Sequence, residues 1–236
     1  MLNDLLLLSG NDIPFTGAQL TIHQPTIKEI AYVGEENFYT GCEFLKFTKD
    51  KLNEEDRNHL ENYSNFEVIM SIMKEKNPVV QKNKTCVQMV LSLIFPYAII
   101  TFENMEIIIT EKETQGKINK DNYEEFLEIL NTIFCLKQGA EEYNPEGQYA
   151  KRIAEKLKKR HQKLAEDKPS EAKVSILSRY ISILAIGQQK DMNSLLNYTI
   201  YQLFDEFTRF ELYLGYDIYL KAKLAGAKDV KEVDDW

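Results

Sequence analysis

The chain has 236 residues, 44% of them hydrophobic and 28% charged, which suits a folded protein of one large or two small domains and argues against general disorder. Ten glycines and six prolines are too few for an all-β architecture built on frequent tight turns. A formal charge of −8 repels polyanions, so nucleic acid is disfavoured as a partner and only a local basic face would bind it.

Cys42, Cys86 and Cys135 are far apart, odd in number and set in apolar stretches, which fits free core thiols in a reducing compartment. The run Leu5-Leu6-Leu7-Leu8 is too short to span a bilayer. It also lacks the basic start and cleavage site of a secretory signal, so it reads as a strand or a docked terminus, and the expected location is the cytoplasm. Residues 1–25 look extended, with Gln19 to His23 alternating as a half-buried strand that Pro25 closes. Thr26 caps a short helix from Ile27 to Val33, and Gly34 allows a bend before a second helical stretch to about Phe47.

Asn53 to Asn62 reads as a short polar helix. Ser64 stands three residues before Glu67, the spacing of a capping box, and Phe66, Ile69, Met70 and Met73 then form one helix face. After Pro78 the same spacing returns in Val87, Val90, Leu91 and Ile94, until Pro96 stops the helix. Tyr97–Phe102 and Met105–Thr110 are β-rich and predict a hairpin turning at Glu103-Asn104, paired with the N-terminal strand in a small sheet. Asn119 or Asp121 opens a helix that buries Tyr123, Phe126, Leu127, Leu130 and Phe134.

Gly139 to Gly147, with Asn144-Pro145, marks the expected boundary between an α+β region (1–140, with the small sheet) and a helical region (141–236). The fold class is therefore mainly α (α+β). The helical region reads as one helix from about Pro145 to Ala165, a hinge at Asp167-Lys168-Pro169, and a second helix from Ser170 to Gln189. A third starts at Asn193, is interrupted or bent at Gly215, and ends near Ala225-Gly226. Along it Leu196, Ile200, Leu203, Phe207, Phe210 and Leu214 recur at spacings of four and three, a coiled-coil-like seam. Burial of each is worth roughly 1.5–3 kcal/mol gross, so the seam must pack on Val174, Leu177, Ile181 and Leu184 of the preceding helix or on a partner.

His23, His59 and His161 are scattered and no two cysteines lie close in sequence, so no metal site is expected. Neither Walker A, G-x-G-x-x-G nor G-x-S-x-G occurs. The pairs Glu35-Glu36, Glu124-Glu125 and Glu141-Glu142 point about 100° apart on a helix and read as solvated faces. No catalytic residue and no cofactor are assigned, and the expected role is binding another protein. Two features are candidates for that contact. Lys151, Arg152, Lys156, Lys158, Lys159, Arg160 and Lys163 crowd one helix beside a narrow apolar stripe. They suit either an acidic partner or nucleic acid, or a solubilised outer helix balanced by Glu155, Glu166 and Asp167. Tyr198, Tyr201, Phe204, Phe207, Phe210, Tyr213, Tyr216 and Tyr219 spread round more than one face, as core alone or as core plus interface. Within them Asp205 and Arg209 stand at i, i+4, acid first.

Two passages resemble a family. Thr199-Ile-Tyr-Gln-Leu-Phe-Asp-Glu-Phe-Thr-Arg-Phe210, with Tyr216-Asp-Ile-Tyr219 and Lys221-Ala-Lys-Leu-Ala-Gly-Ala-Lys228, is similar to the C-terminal signature of small proteins encoded among phage tail genes. Ile22-His-Gln-Pro-Thr-Ile-Lys-Glu-Ile30 and Gly34-Glu-Glu-Asn-Phe38 resemble their opening. These are tail-assembly chaperones or baseplate hub assembly proteins of contractile-tailed bacteriophages. The resemblance covers about a quarter of the chain. It implies a non-enzymatic role in the host cytoplasm, holding tape-measure, tail-tube or baseplate hub proteins, and leaves open whether the protein stays in the virion as a structural component. It carries over no binding residue. The aromatic residues Tyr198, Tyr201, Phe204, Tyr213, Tyr216 and Tyr219, with Lys151, Arg152 and Lys159, are the expected partner-binding set, and self-association stays open. A nucleic-acid-associated regulator using the 151–163 basic helix is the remaining alternative.

Overall fold

The computed structural model describes residues 2–52, 54–112, 114–136 and 175–226. Among them the fold is mainly α with two small antiparallel sheets.

The leucine run is a helix, α1 (Asp4–Ser9), and not a strand. Asn3 accepts a hydrogen bond from Leu5 N, and Gly10 ends the helix in the left-handed region at φ 69°. Leu7 turns inward while Leu5 stays exposed. Strand β1 (Ile13–Phe15) then pairs with β2 (Leu20–Ile22), placing Ile13 opposite Ile22 and Phe15 opposite Leu20, all four buried. Thr26 and Glu29 form a capping box on α2 (Ile27–Val33), and α3 (Glu35–Leu45) follows Gly34. After the short α4 (Glu54–His59), the expected Ser64–Glu67 capping box opens α5 (Asn65–Ile72). Asn77 caps α6 (Pro78–Ile94), with proline at the first helical position, where its missing N–H costs nothing. Helices α3 and α6 lie side by side, burying Phe38, Cys42 and Leu45 with Val87, Val90, Leu91 and Ile94.

The hairpin departs from expectation in three ways. Its strands are β3 (Ile99–Glu103) and β4 (Glu106–Glu111), so the loop is Asn104-Met105, one residue later than predicted. Both loop residues have positive φ, 48° and 62°, as a type I′ turn requires. A third strand, β5 (Thr114–Ile118), pairs with β4, and the order β3-β4-β5 is separate from the β1-β2 pair rather than joined to it. Helix α7 (Tyr123–Ile133) packs back on β1, with the Phe15 and Phe126 rings 5.8 Å apart and Tyr123 4.6 Å from Phe66. The Tyr123 hydroxyl donates to Leu45 O, which satisfies the one polar atom of a buried ring.

The expected boundary at 139–147, the helix from Pro145 to Ala165 and the hinge at Asp167-Lys168-Pro169 lie outside the described residues, as does Val174. Ser175 caps α8 (Ile176–Gln188), and Glu35 of α3 reaches the same end, accepting from Ile176 N at 3.0 Å and Leu177 N at 3.3 Å. A carboxylate beside unpaired amides at a helix start is favourable on charge as well as hydrogen bonding. Then come α9 (Met192–Leu196), capped by Asp191, and α10 (Ile200–Leu224), capped by a Thr199–Gln202 box. The predicted single helix from Asn193 is thus two, because Tyr198 O accepts from Ile27 N and Thr26 bridges Thr199, which holds the chain extended between them. At Gly215, by contrast, α10 continues uninterrupted for 25 residues, about 37 Å. Leu177, Ile181, Leu184, Leu195, Ile200 and Leu203 join one core with Leu7, Ile27 and Ile30.

Candidate interaction surface

Helix α10 changes character along its length. In its first half the seam is satisfied inside the molecule: Ile200 and Leu203 are fully buried and Phe210 nearly so, against α8, α1 and α7. Tyr180 of α8 supplies an aromatic bed, its ring 4.9 Å from Phe204 and 4.3 Å from Phe207. Further on, the Phe210 ring lies against Gly187 of α8.

Past Phe210 most large apolar side chains of the helix turn to solvent. Tyr213, Leu214, Tyr216, Ile218, Leu220 and Leu224 are exposed, with Ile218 at 66% and Leu224 at 88%. A shallow cleft lined by Gly187, Gln188, Arg209, Phe210 and Tyr213 lies where α8 and α10 part, and Ile186 of α8 is also exposed. Asp205 pairs with Arg209 at 2.7 Å and Asp217 pairs with Lys221, so these i, i+4 neighbours cancel one another's charge along the helix. The Asp205 contact raises the Arg209 pKa, and the Asp217 contact that of Lys221.

The expected partner-binding aromatics divide between these regions. Tyr198 is half-buried, its hydroxyl 3.2 Å from Lys190 Nζ, whose ammonium also lies over the ring and pairs with Glu206 at 2.8 Å. Tyr201 is half-buried with its hydroxyl 3.5 Å from Asp4 Oδ1, and burial, with the nearby Asp4 and Asp205 charges, pushes its pKa up. Phe204 faces Tyr180. These three fasten α10 to the rest of the chain. Tyr213 and Tyr216 face outward, and Tyr219 is nearly covered, close to the Tyr216 ring and beneath Lys223 Nζ. Lys151, Arg152 and Lys159 lie outside the described residues. Ile218, Leu220 and Leu224 belong to the exposed set but not to the expected one, since they are not aromatic; their signal in the sequence is that they are apolar positions off the seam.

Elsewhere, His23 is not isolated: Asp12 lies 3.0 Å from Nδ1 and Glu29 3.5 Å from Nε2. Among the described residues no group of three His, Cys, Asp or Glu side chains is placed to hold a metal ion. Burial pushes the Cys42 thiol far up and that of Cys135 to about 11, so neither is a ready nucleophile. No described helix is long and apolar enough to cross a membrane.

The helices that build this surface have a counterpart among known families. Residues 168–236 match the family model described as the YomV second domain. It is a phage-derived domain, of the Bacillus phage SPBeta type, which is consistent with a phage protein. The YomV-like stretch takes in α8, α9 and α10 and is under a third of the chain. No curated protein and no solved structure matches.

Proposed function

We propose that the chain is a non-enzymatic bacteriophage tail or baseplate assembly protein that binds another tail protein, of the tape-measure, tube or hub kind, through the outer half of α10. The observation that carries this reading is the division of one helix: its apolar seam is buried in the core up to Phe210, whereas beyond it Tyr213, Leu214, Tyr216, Ile218, Leu220 and Leu224 are exposed. A cluster of exposed large apolar side chains on one stretch of helix is costly in water and marks a contact site. Asp217 and Lys221 pair with each other on it, so the occupant it suits is an apolar helical face rather than a polyanion. The phage-derived match over this same stretch supports a viral setting, and the resemblance at Thr199–Phe210 and Lys221–Lys228 supports tail assembly within it. The work would be done in the host cytoplasm.

Affinity capture of the full chain from infected cells tests the proposal. The expected result is recovery of a tail component by the wild type and its loss with Ile218→Glu and Leu224→Glu. Recovery of no tail protein overturns it. Mass spectrometry of purified particles then separates a departing assembly factor, which is absent, from a permanent virion component, which is present in stoichiometric copies.

A further inference from the structure

The two edges of the three-stranded sheet are finished differently. At the β5 edge, Asn122 Nδ2 donates to Lys117 O at 2.8 Å and to Gly17 O at 2.9 Å, so a side chain occupies a main-chain acceptor. Next to it Gly116 is packed so tightly under Leu20 and Ala18 O that a Cβ would not fit. Lys117 adds a charge. The β3 edge has none of this. From Ala98 to Phe102 it carries no charge, proline or bulge of its own; its one charged residue is Glu103 at the hairpin end, Lys84 of α6 lies over the Phe102 ring, Ile99 is 70% exposed, and Tyr97 just before it is 87% exposed. Among the described residues no hydrogen bond reaches the outer side of this strand. A bare, apolar edge is the kind that recruits another strand.

The register says which residues would accept one. In a two-residue hairpin the residues flanking the loop form a hydrogen-bonded pair, here Glu103 and Glu106. Alternation puts Thr101 with Ile108 and Ile99 with Thr110 in the same class. Ile100 and Phe102 therefore turn their N–H and C=O groups to the open side.

We infer that β3 pairs with β3 of a second copy of this chain, antiparallel about a two-fold axis at Thr101, making one continuous six-stranded sheet. In that register Ile100 of each copy faces Phe102 of the other, and all four residues present their outward groups to one another. Shifting the pairing by one residue would set outward groups against inward ones and lose every bond. Centring on Thr101 also overlaps the whole strand and keeps the two Glu103 carboxylates roughly 14 Å apart at opposite ends. On the core side, the half-buried Ile100 and Phe102 of each copy extend each other's cover. The surface is distinct from α10 and does not depend on what α10 binds.

Sedimentation velocity on the full chain over a wide concentration range tests this. The wild type is expected to be a dimer. Thr101→Lys and Thr101→Glu place like charges opposite each other at the axis and are expected to be folded monomers, with unchanged circular dichroism and a melting temperature that no longer depends on protein concentration. An equimolar mixture of the two is expected to regain the dimer. Thr101→Cys should form a 101–101 disulfide on mild oxidation, since the non-hydrogen-bonded pair brings Cα atoms to about 4.5 Å, within disulfide reach. Ile99→Cys should not, because its opposite number is Glu103. A monomeric wild type, as expected if this edge serves a strand of some other protein, overturns the inference. So does a dimer that survives both charged variants.

Discussion

The Phe210 ring occupies the space where Gly187 would carry a Cβ. Glycine inside α8 forfeits about 0.5–1 kcal/mol of helix propensity relative to alanine, and the close approach of α10 is what it gains. Gly187→Ala is therefore expected to destabilise: overpacking costs about 1–3 kcal/mol, and the propensity gain returns only part of it. The check is urea denaturation. A stabilised variant would mean that the ring moves aside freely.

Two residues later glycine would be the better residue. Gln189 ends α8 at φ 55°, in the left-handed region, with its side chain exposed. Gln189→Gly relieves a conformation that costs an L-residue about 1 kcal/mol, so a stabilisation of about 0.5–1 kcal/mol is expected, read as a rise in melting temperature.

The capping boxes predict acid sensitivity. Hydrogen bonds from Ser64 N and Oγ hold the Glu67 carboxyl below its ordinary value of 4.5. Burial raises Glu29, but bonds from Thr26 and the nearby His23 outweigh it and the net direction is again down. A carboxyl depressed in the folded state adds stability that is complete above its unfolded pKa and is lost as pH falls through the folded one. Below about pH 4.5 the wild type should weaken, and Glu67→Gln, which keeps an acceptor for Ser64 but cannot protonate, should weaken less. Urea midpoints measured from pH 7 to pH 3 check this; parallel curves for the two proteins would refute it.

Substitutions along α10 should separate fold from binding. Phe204→Ala removes a ring set against Tyr180 and is expected to cost about 2 kcal/mol or more. Ile218→Glu and Leu224→Glu alter exposed positions and should leave stability within about 0.5 kcal/mol while abolishing partner capture. Thermal melts run beside the capture assay test both halves.

Much of this was readable where a local rule and the tertiary environment agree. The Ser64–Glu67 box, the faces of α5 and α6, and the seam from Ile200 to Phe210 follow from spacing alone; on α7 Tyr123, Phe126, Leu130 and Phe134 are buried as expected, but Leu127 is only half-buried and Ile129 and Ile133 are buried instead. Some misreadings come from a distant partner that overrides a local signal, others from a local cost that the backbone absorbs. Four successive leucines have no period, and α1 is settled by Asn3, Gly10 and contact with α10. Met105 in the left-handed region is not a turn signal any composition offers, so the hairpin slipped by one residue. Thr-Gln-Gly-Lys-Ile has weak strand propensity and forms β5 because β4 and Leu20 leave it a place. Gly215 looked like a break, yet a glycine costs only about 1 kcal/mol and the helix absorbs it. Of the interaction surface, the tyrosines were legible as a set. Which faced inward was not, since that depends on where α1 and α8 lie.

Gln202 Nε2 donates to Leu8 O across 194 residues, and the Thr26–Thr199 bridge closes a similar span. On the ribosome, at about 5–20 residues per second, roughly 10–40 s separate the emergence of Leu8 from that of its partner. Throughout that interval Leu8 O has no Gln202 donor and Leu7 has not yet gained the shelter of α10. A late-made segment thus secures an early one, so a chain arrested before Thr199 would leave Leu8 O without its Gln202 donor.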